Sequence, residues 1–207
     1  MNVFIGFDPR QPVAFNVCAQ SIWDHASQPV NITRLDLRTL PIKRRGLTEF
    51  TYSRFLVPYL SGFEGHSLFL DSDILVRGDV CDIDNITFDA SVAIVKGHLR
   101  FEWASVMLFN NEKCRCFTPD YVNRAAALDL HRLTWLERVG LEIGSLPLEW
   151  NWLVGEYEPN PNAKVLHYTL GGPWFGYGEE ADAWMREYRH MISPMETKDM
   201  RYLAGAS

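Results

Sequence analysis

The first apolar run of the chain, Val3-Phe4-Ile5-Gly6-Phe7, is continuous rather than alternating, and it stops at Asp8-Pro9. An unbroken run of this length suits a strand covered on both faces, as in a parallel sheet between helices. Gln11-Pro12 then opens a stretch in which Ala14, Phe15, Val17, Cys18, Ile22 and Trp23 recur at helical spacing. Proline is at home in a first helical turn, where its missing N–H has no partner to lose. Residues 31–37 alternate, with Ile32, Leu35 and Leu37 set against Thr33, Arg34 and Asp36, and predict a second strand. These segments together predict a β-α-β unit with a right-handed crossover. Further along, the pattern predicts a helix over 48–60, strands over 67–70, 91–95 and 105–109, a helix over 122–139 and a closing amphipathic helix over 181–191. No repeat, low-complexity linker or sharp change of composition divides these elements. The expectation is one α/β domain over residues 1–207, Rossmann-like, with a mainly parallel central sheet flanked by helices.

Composition narrows the function more than the fold. With 207 residues, 47% of them hydrophobic, the chain is long enough for one large core and short for two full domains. Its formal charge of -6 argues against a nucleic-acid binder, which needs a basic face for phosphates. It does not argue against a small phosphorylated ligand, because a metal ion can supply positive charge locally. The segment Met1–Asp8 lacks the basic and apolar regions of a signal peptide, and no apolar run approaches the roughly 20 residues that span a bilayer. Cys18, Cys81, Cys114 and Cys116 offer only one close pair, with no second pair to complete a zinc site. They read as reduced packing thiols in a cytoplasmic protein without an integral membrane segment.

The chemistry gathers at Asp71-Ser72-Asp73, directly after the apolar run Ser67-Leu68-Phe69-Leu70. In open α/β sheets ligands sit beyond the carboxyl ends of the strands, where Asp8 also falls. Two carboxylates one residue apart at a buried strand end are costly to desolvate. A hard divalent cation, manganese or magnesium, relieves the repulsion and leaves coordination positions for phosphate oxygens. A phosphatase with an aspartate nucleophile also uses a strand followed by D-x-D. There the motif closes the first strand and carries Thr or Val where this chain has Leu75. The second feature is His167-Tyr168-Thr169-Leu170-Gly171-Gly172-Pro173-Trp174, where a histidine can join a manganese site and two glycines let a backbone approach phosphate.

Four segments in this order resemble the glycogenin-like, family 8 glycosyltransferases. They are Leu68 through Asp79 with its D-x-D and Gly-Asp, Val106-Met107-Leu108-Phe109-Asn110, Leu146-Pro147 with Trp150-Asn151, and His167 through Trp174. The resemblance implies a GT-A fold, a nucleotide-diphosphate sugar donor (a UDP-sugar first), a glycan or other hydroxyl acceptor, and Mn2+ or Mg2+. It also implies that Asp71, Asp73 and His167 hold the metal. Asp8, Arg54, Asp71, Gly171 and Gly172 would meet the donor. Gly172 stands where the family carries a lysine, Glu102-Trp103-Ala104-Ser105 replaces its small Asn-containing segment, and residues 139–145 lack its Asp-Gln-Asp. The chain therefore reads as a divergent relative, and the family's stereochemistry is not carried over.

A transfer that inverts the anomeric centre needs a carboxylate base. Glu149 and Glu142 are the candidates, with Glu102 behind them. Trp103, Trp150, Trp152 and Trp174 suit either an acceptor platform or the core. The sequence reading is a metal-dependent hexosyltransferase. Its alternatives are a catalytically silent sugar-nucleotide-binding module and the phosphatase.

Overall fold

The computed structural model describes residues 1–86, 89–97, 104–133, 136, 139–170, 172, 184–186 and 188–191. Its centre is a six-stranded sheet: β1 (Asn2–Gly6), β2 (Asn31–Leu35), β3 (His66–Leu70), β5 (Val92–Val95), β6 (Val106–Asn110) and β7 (Ile143–Leu146). They lie in the order β2-β1-β3-β6-β5-β7. All neighbours run parallel except β6, which is antiparallel to β3 and β5. The mainly parallel sheet expected from the apolar runs is therefore present.

Burial on both faces explains those runs. Val3 and Ile5 of β1, Leu68 and Leu70 of β3, and Val106 and Leu108 of β6 pack on one side, against Cys18, Ala19 and Ile22. These three come from α1 (Pro12–His25). Phe4, Phe69, Met107 and Phe109 point to the other side, against Phe50, Phe55, Phe117 and Val122. Each fully buried side chain of this size contributes about 1.5–3 kcal/mol, so both layers are needed. α1 begins with Pro12 at its first positions and no side-chain cap, as the proline predicted.

A second sheet sits beside the first. It has three short strands, β4 (Ile74–Val76), β8 (Trp152–Leu153) and β9 (Val165–His167), in the order β4-β9-β8. β9 runs antiparallel to β4 and parallel to β8. α1 ties into it through Ser21, whose hydroxyl accepts the Val76 N–H at 3.0 Å and donates to the Cys18 carbonyl at 2.8 Å.

The structure departs from the sequence reading in two helices. The pattern over 48–60 resolves into turns, a 3-10 helix Ser53–Leu56 and α2 (Val57–Leu60), because Pro58 can sit only in a first helical turn. The described part of the pattern over 122–139 is broken after Arg124: α3 (Pro119–Arg124) is followed by α4 (Ala127–Arg132), which ends on Leu133 in the left-handed region at φ 54, and Leu136 is again helical. Of the closing helix, residues 184–186 and 188–191 are described and helical. Among the described residues no helix is long and apolar enough to cross a membrane.

Candidate metal and donor site

β3 delivers Asp71 to the carboxyl edge of the large sheet, where its N–H donates to the Ser105 carbonyl at 3.0 Å and extends the ladder with β6. The chain then turns through Ser72 and Asp73 into β4 and the small sheet. There Ile74 pairs with His167, and the Tyr168 N–H donates to the Asp73 carbonyl at 3.0 Å. Two residues 94 positions apart in sequence are thus fixed side by side by a backbone ladder. The small sheet exists in the right place to do this.

Asp71, Asp73 and His167 each present one ligand atom, and the three atoms lie within 4.8 Å of one another. His167 is 2% exposed, and its Nε2 lies 3.5 Å from Asp73 Oδ1. That oxygen is shielded from solvent and has no hydrogen-bond partner among the described residues. Nδ1 of His167 meets Asn151 Oδ1 at 2.9 Å. Asp71 is gripped from another element: Arg54 Nη2 lies 3.0 Å from its Oδ1, and Nη1 lies 3.4 Å from its Oδ2. Arg54 is itself buried, and Nη1 also donates to the Ala104 carbonyl at 2.7 Å. Beneath the site, burial pushes the Cys18 thiol well above its ordinary range, and Asp73 and Asp71 push it the same way, so Cys18 is a neutral packing group.

Arg54, Asp71, Asp73 and His167 line a cavity of about 170 Å3, together with Leu47, Thr48, Phe50, Thr51, Ser105 and Thr169. Phe50 roofs the end of β1: a Cβ on Gly6 would stand 2.5 Å from its ring, so only glycine fits there.

The structure separates the other sequence candidates. Asp8 stands at the end of β1 and does not line the cavity. Arg10 holds both its oxygens, with Nε 2.9 Å from Oδ1 and Nη2 2.5 Å from Oδ2, and keeps the carboxyl below its usual range. Gly172 is buried. Gly171, Glu102, Trp103 and Trp174 lie outside the described residues. Glu149 is half-buried in the 3-10 turn Leu148–Trp150, which follows β7 on the same edge as the cavity. Glu142 is exposed at the opposite, amino edge, where its carbonyl accepts the Ser91 N–H at 2.9 Å ahead of β5. It is not brought to the cluster. Trp150 is in the core at 1% exposure, and Trp152 leans edge-on against Tyr157. Sequence reasoning missed the contact of Asn151 with His167, although Trp150-Asn151 was one of the resembling segments. It also missed the hydroxyl lining from Thr48, Thr51 and Ser105; for the two threonines the signal is the density of polar residues between Gly46 and Arg54.

No family model matches the sequence. The sequence is 35% identical to Protein CDI of Arabidopsis thaliana over 221 aligned positions, covering 89% of this chain and 85% of that one. The chain belongs to the Protein CDI family. In the fold it is similar to a bifunctional glycosyltransferase, WbbM, with a TM-score of 0.70 and 17% identity over 98% of this chain. It spans about half, 51%, of the WbbM chain. It is also similar to the galactosyltransferase LgtC, solved with donor and acceptor sugar analogues, with a TM-score of 0.62 and 14% identity over 95% of this chain and 98% of that one. The chain therefore has the GT-A fold of these two structures. The D-x-D here follows the third strand in chain order rather than the first, where the phosphatase motif stands.

Proposed function

We propose that the chain is a metal-dependent glycosyltransferase. It moves a sugar, a hexose first, from a nucleotide-diphosphate sugar such as a UDP-sugar to a hydroxyl of a saccharide or other acceptor. The observation that carries this reading is the convergence of Asp71, Asp73 and His167 at the carboxyl edge of a GT-A sheet, with Asp73 Oδ1 shielded and without a hydrogen-bond partner among the described residues. Leaving a carboxylate oxygen in that state costs about 1–3 kcal/mol or more. Two carboxylates and an imidazole are a donor set that Mn2+ or Mg2+ accepts, so the residues fit the ion. When bound, the cation supplies Lewis acidity to the departing diphosphate.

The chain's own contribution is preorganisation. Asp73 and His167 are locked at one separation by the small sheet. Arg54 offsets the charge of Asp71, holds its carboxylate at the cavity wall and adds a fixed cation where negative charge develops on the leaving group. Gly171 and Gly172 belong to the proposal as the backbone approach to the diphosphate, and Asp8 as the nucleoside edge. Glu149 is the proposed base, because it shares the edge of the sheet with the cluster. The single-domain reading of residues 1–207 goes with this proposal, as does a cytoplasmic setting, which the four free cysteines suit.

One observation favours the second reading, a binding module without turnover: among the described residues lining the cavity, Asp71 and Asp73 are the only carboxylates. Incubation with a panel of nucleotide sugars and MnCl2 separates the two. The transferase releases nucleoside diphosphate slowly even without acceptor, and Asp73→Ala lowers that rate about a thousandfold, the several kcal/mol that a Lewis acid provides. Tight, manganese-dependent binding with no hydrolysis or transfer, across donors and a panel of glycan acceptors, supports the module instead.

A further inference from the structure

A buried polar contact supports the cluster from behind: Asn151 Oδ1 meets His167 Nδ1. Asn151 is 3% exposed and closes the 3-10 turn Leu148–Trp150, its N–H donating to the Leu148 carbonyl at 3.1 Å. The fully buried Trp150 pins that turn in the core. β8 starts at the next residue and pairs with β9, which sets Leu153 opposite His167. Backbone geometry therefore fixes both partners of the 2.9 Å contact between Asn151 Oδ1 and His167 Nδ1. A neutral imidazole carries one N–H, and an amide oxygen can only accept. With the amide oxygen on this side, the proton sits on Nδ1 and the lone pair on Nε2, the nitrogen that lies 3.5 Å from Asp73 Oδ1.

We propose that Asn151 is a positioning residue: its carboxamide oxygen holds His167 as the Nδ1–H tautomer, with the Nε2 lone pair facing the Asp71 and Asp73 carboxylates. A metal-bound histidine needs this arrangement, and a partner on its other nitrogen also sets the ring's orientation and basicity. The consequence for metal binding rests on the function proposed above, whereas the tautomer is a property of the metal-free chain. The opposite amide orientation makes the opposite prediction. Its NH2 would donate to a bare Nδ1 and leave the proton on Nε2, where a cation would have to displace it.

Long-range nitrogen–proton NMR of the 15N-labelled, metal-free protein, followed with rising pH until the same spectra show a neutral His167 ring, reads the tautomer directly. The His167 signals are assigned by their loss in His167→Gln. The Nδ1–H pattern is expected in the wild type and is lost in Asn151→Leu. Titration with MnCl2 and uridine diphosphate is the second readout. Affinity falls about 10–100-fold in Asn151→Leu. It stays within a few-fold of wild type in Asn151→Asp, whose carboxylate accepts the same N–H and keeps the shape. An Nε2–H pattern in the wild type overturns the proposal, as does an equal loss of affinity in both variants or no loss in Asn151→Leu. If the wild type shows the Nδ1–H pattern yet binds no manganese, the metal reading fails and the Asn151–His167 assignment stands.

Discussion

Asp36, Asp8 and the Asp71/Asp73 pair follow three neighbouring parallel strands at the same edge of the sheet, yet among the described residues only the last meets a histidine with its ligand atoms within 4.8 Å. Asp8 and Asp36 are near copies of one device. Each accepts from an arginine two residues on, through that residue's N–H (2.9 and 3.1 Å), its Nε (2.9 and 2.8 Å) and its Nη2 (2.5 and 2.6 Å). In both, the arginine holds the carboxyl below its usual range. These acids are satisfied by their own loop and cap a strand end. Asp71 has no such neighbour; its arginine arrives from Ser53–Leu56, and Asp73 keeps an oxygen that the described protein does not satisfy. Local satisfaction leaves Asp8 and Asp36 stable without further partners, whereas Asp71 and Asp73 depend on elements remote in sequence.

Breaking that distinction should produce graded effects. The thousandfold loss of donor hydrolysis on Asp73→Ala is the largest. Next is Arg54→Met, which leaves Asp71 buried and uncompensated and should cost about 3–5 kcal/mol by urea unfolding. Adding Asp71→Asn should restore a good part of that stability. A loss of only about 1 kcal/mol would make Arg54 an ordinary cap like Arg38. Smaller still is Asp36→Asn, at about 1 kcal/mol at neutral pH, because the guanidinium of Arg38 is 61% exposed and solvent screens the pair. Its sign follows from the depressed carboxyl. The stabilisation is present above the unfolded value near 3.9 and is lost as pH falls through the lower folded value. The difference in melting temperature between wild type and Asp36→Asn should therefore shrink below about pH 4, with manganese binding at neutral pH unchanged. A gap that widens on acidification would refute the cap assignment.

What was legible in the sequence follows the same division between local and remote. The runs at Val3, Ser67, Ser91 and Ser105 announced buried strands because both faces of the large sheet are covered. Pro12 announced the first turn of α1 for a local steric reason. The small sheet was not legible: strands of two or three residues carry no periodicity, and the pairing of Ile74 with His167 joins distant parts of the chain. Nor does periodicity encode direction, so the antiparallel β6 could not be foreseen. β7 was missed because only Leu146 of its four residues is buried. The candidate ligands were readable as residue types at strand ends, helped by the resemblance, but their partners Arg54 and Asn151 gain their roles only through tertiary contacts. Glu142 was attractive for its place in the sequence, and the register of β7 with β5 puts it at the far edge.

The central claim is that Asp71, Asp73 and His167 form a divalent-metal site for a nucleotide. Anomalous diffraction at the manganese edge, from crystals soaked in MnCl2 and uridine diphosphate, tests it most directly. The account predicts one strong peak among the three side chains, within bonding distance of Asp73 and His167 Nε2 and of the diphosphate. A bound nucleotide with no peak there, or with manganese held at Asp8 or Asp36 instead, would contradict it.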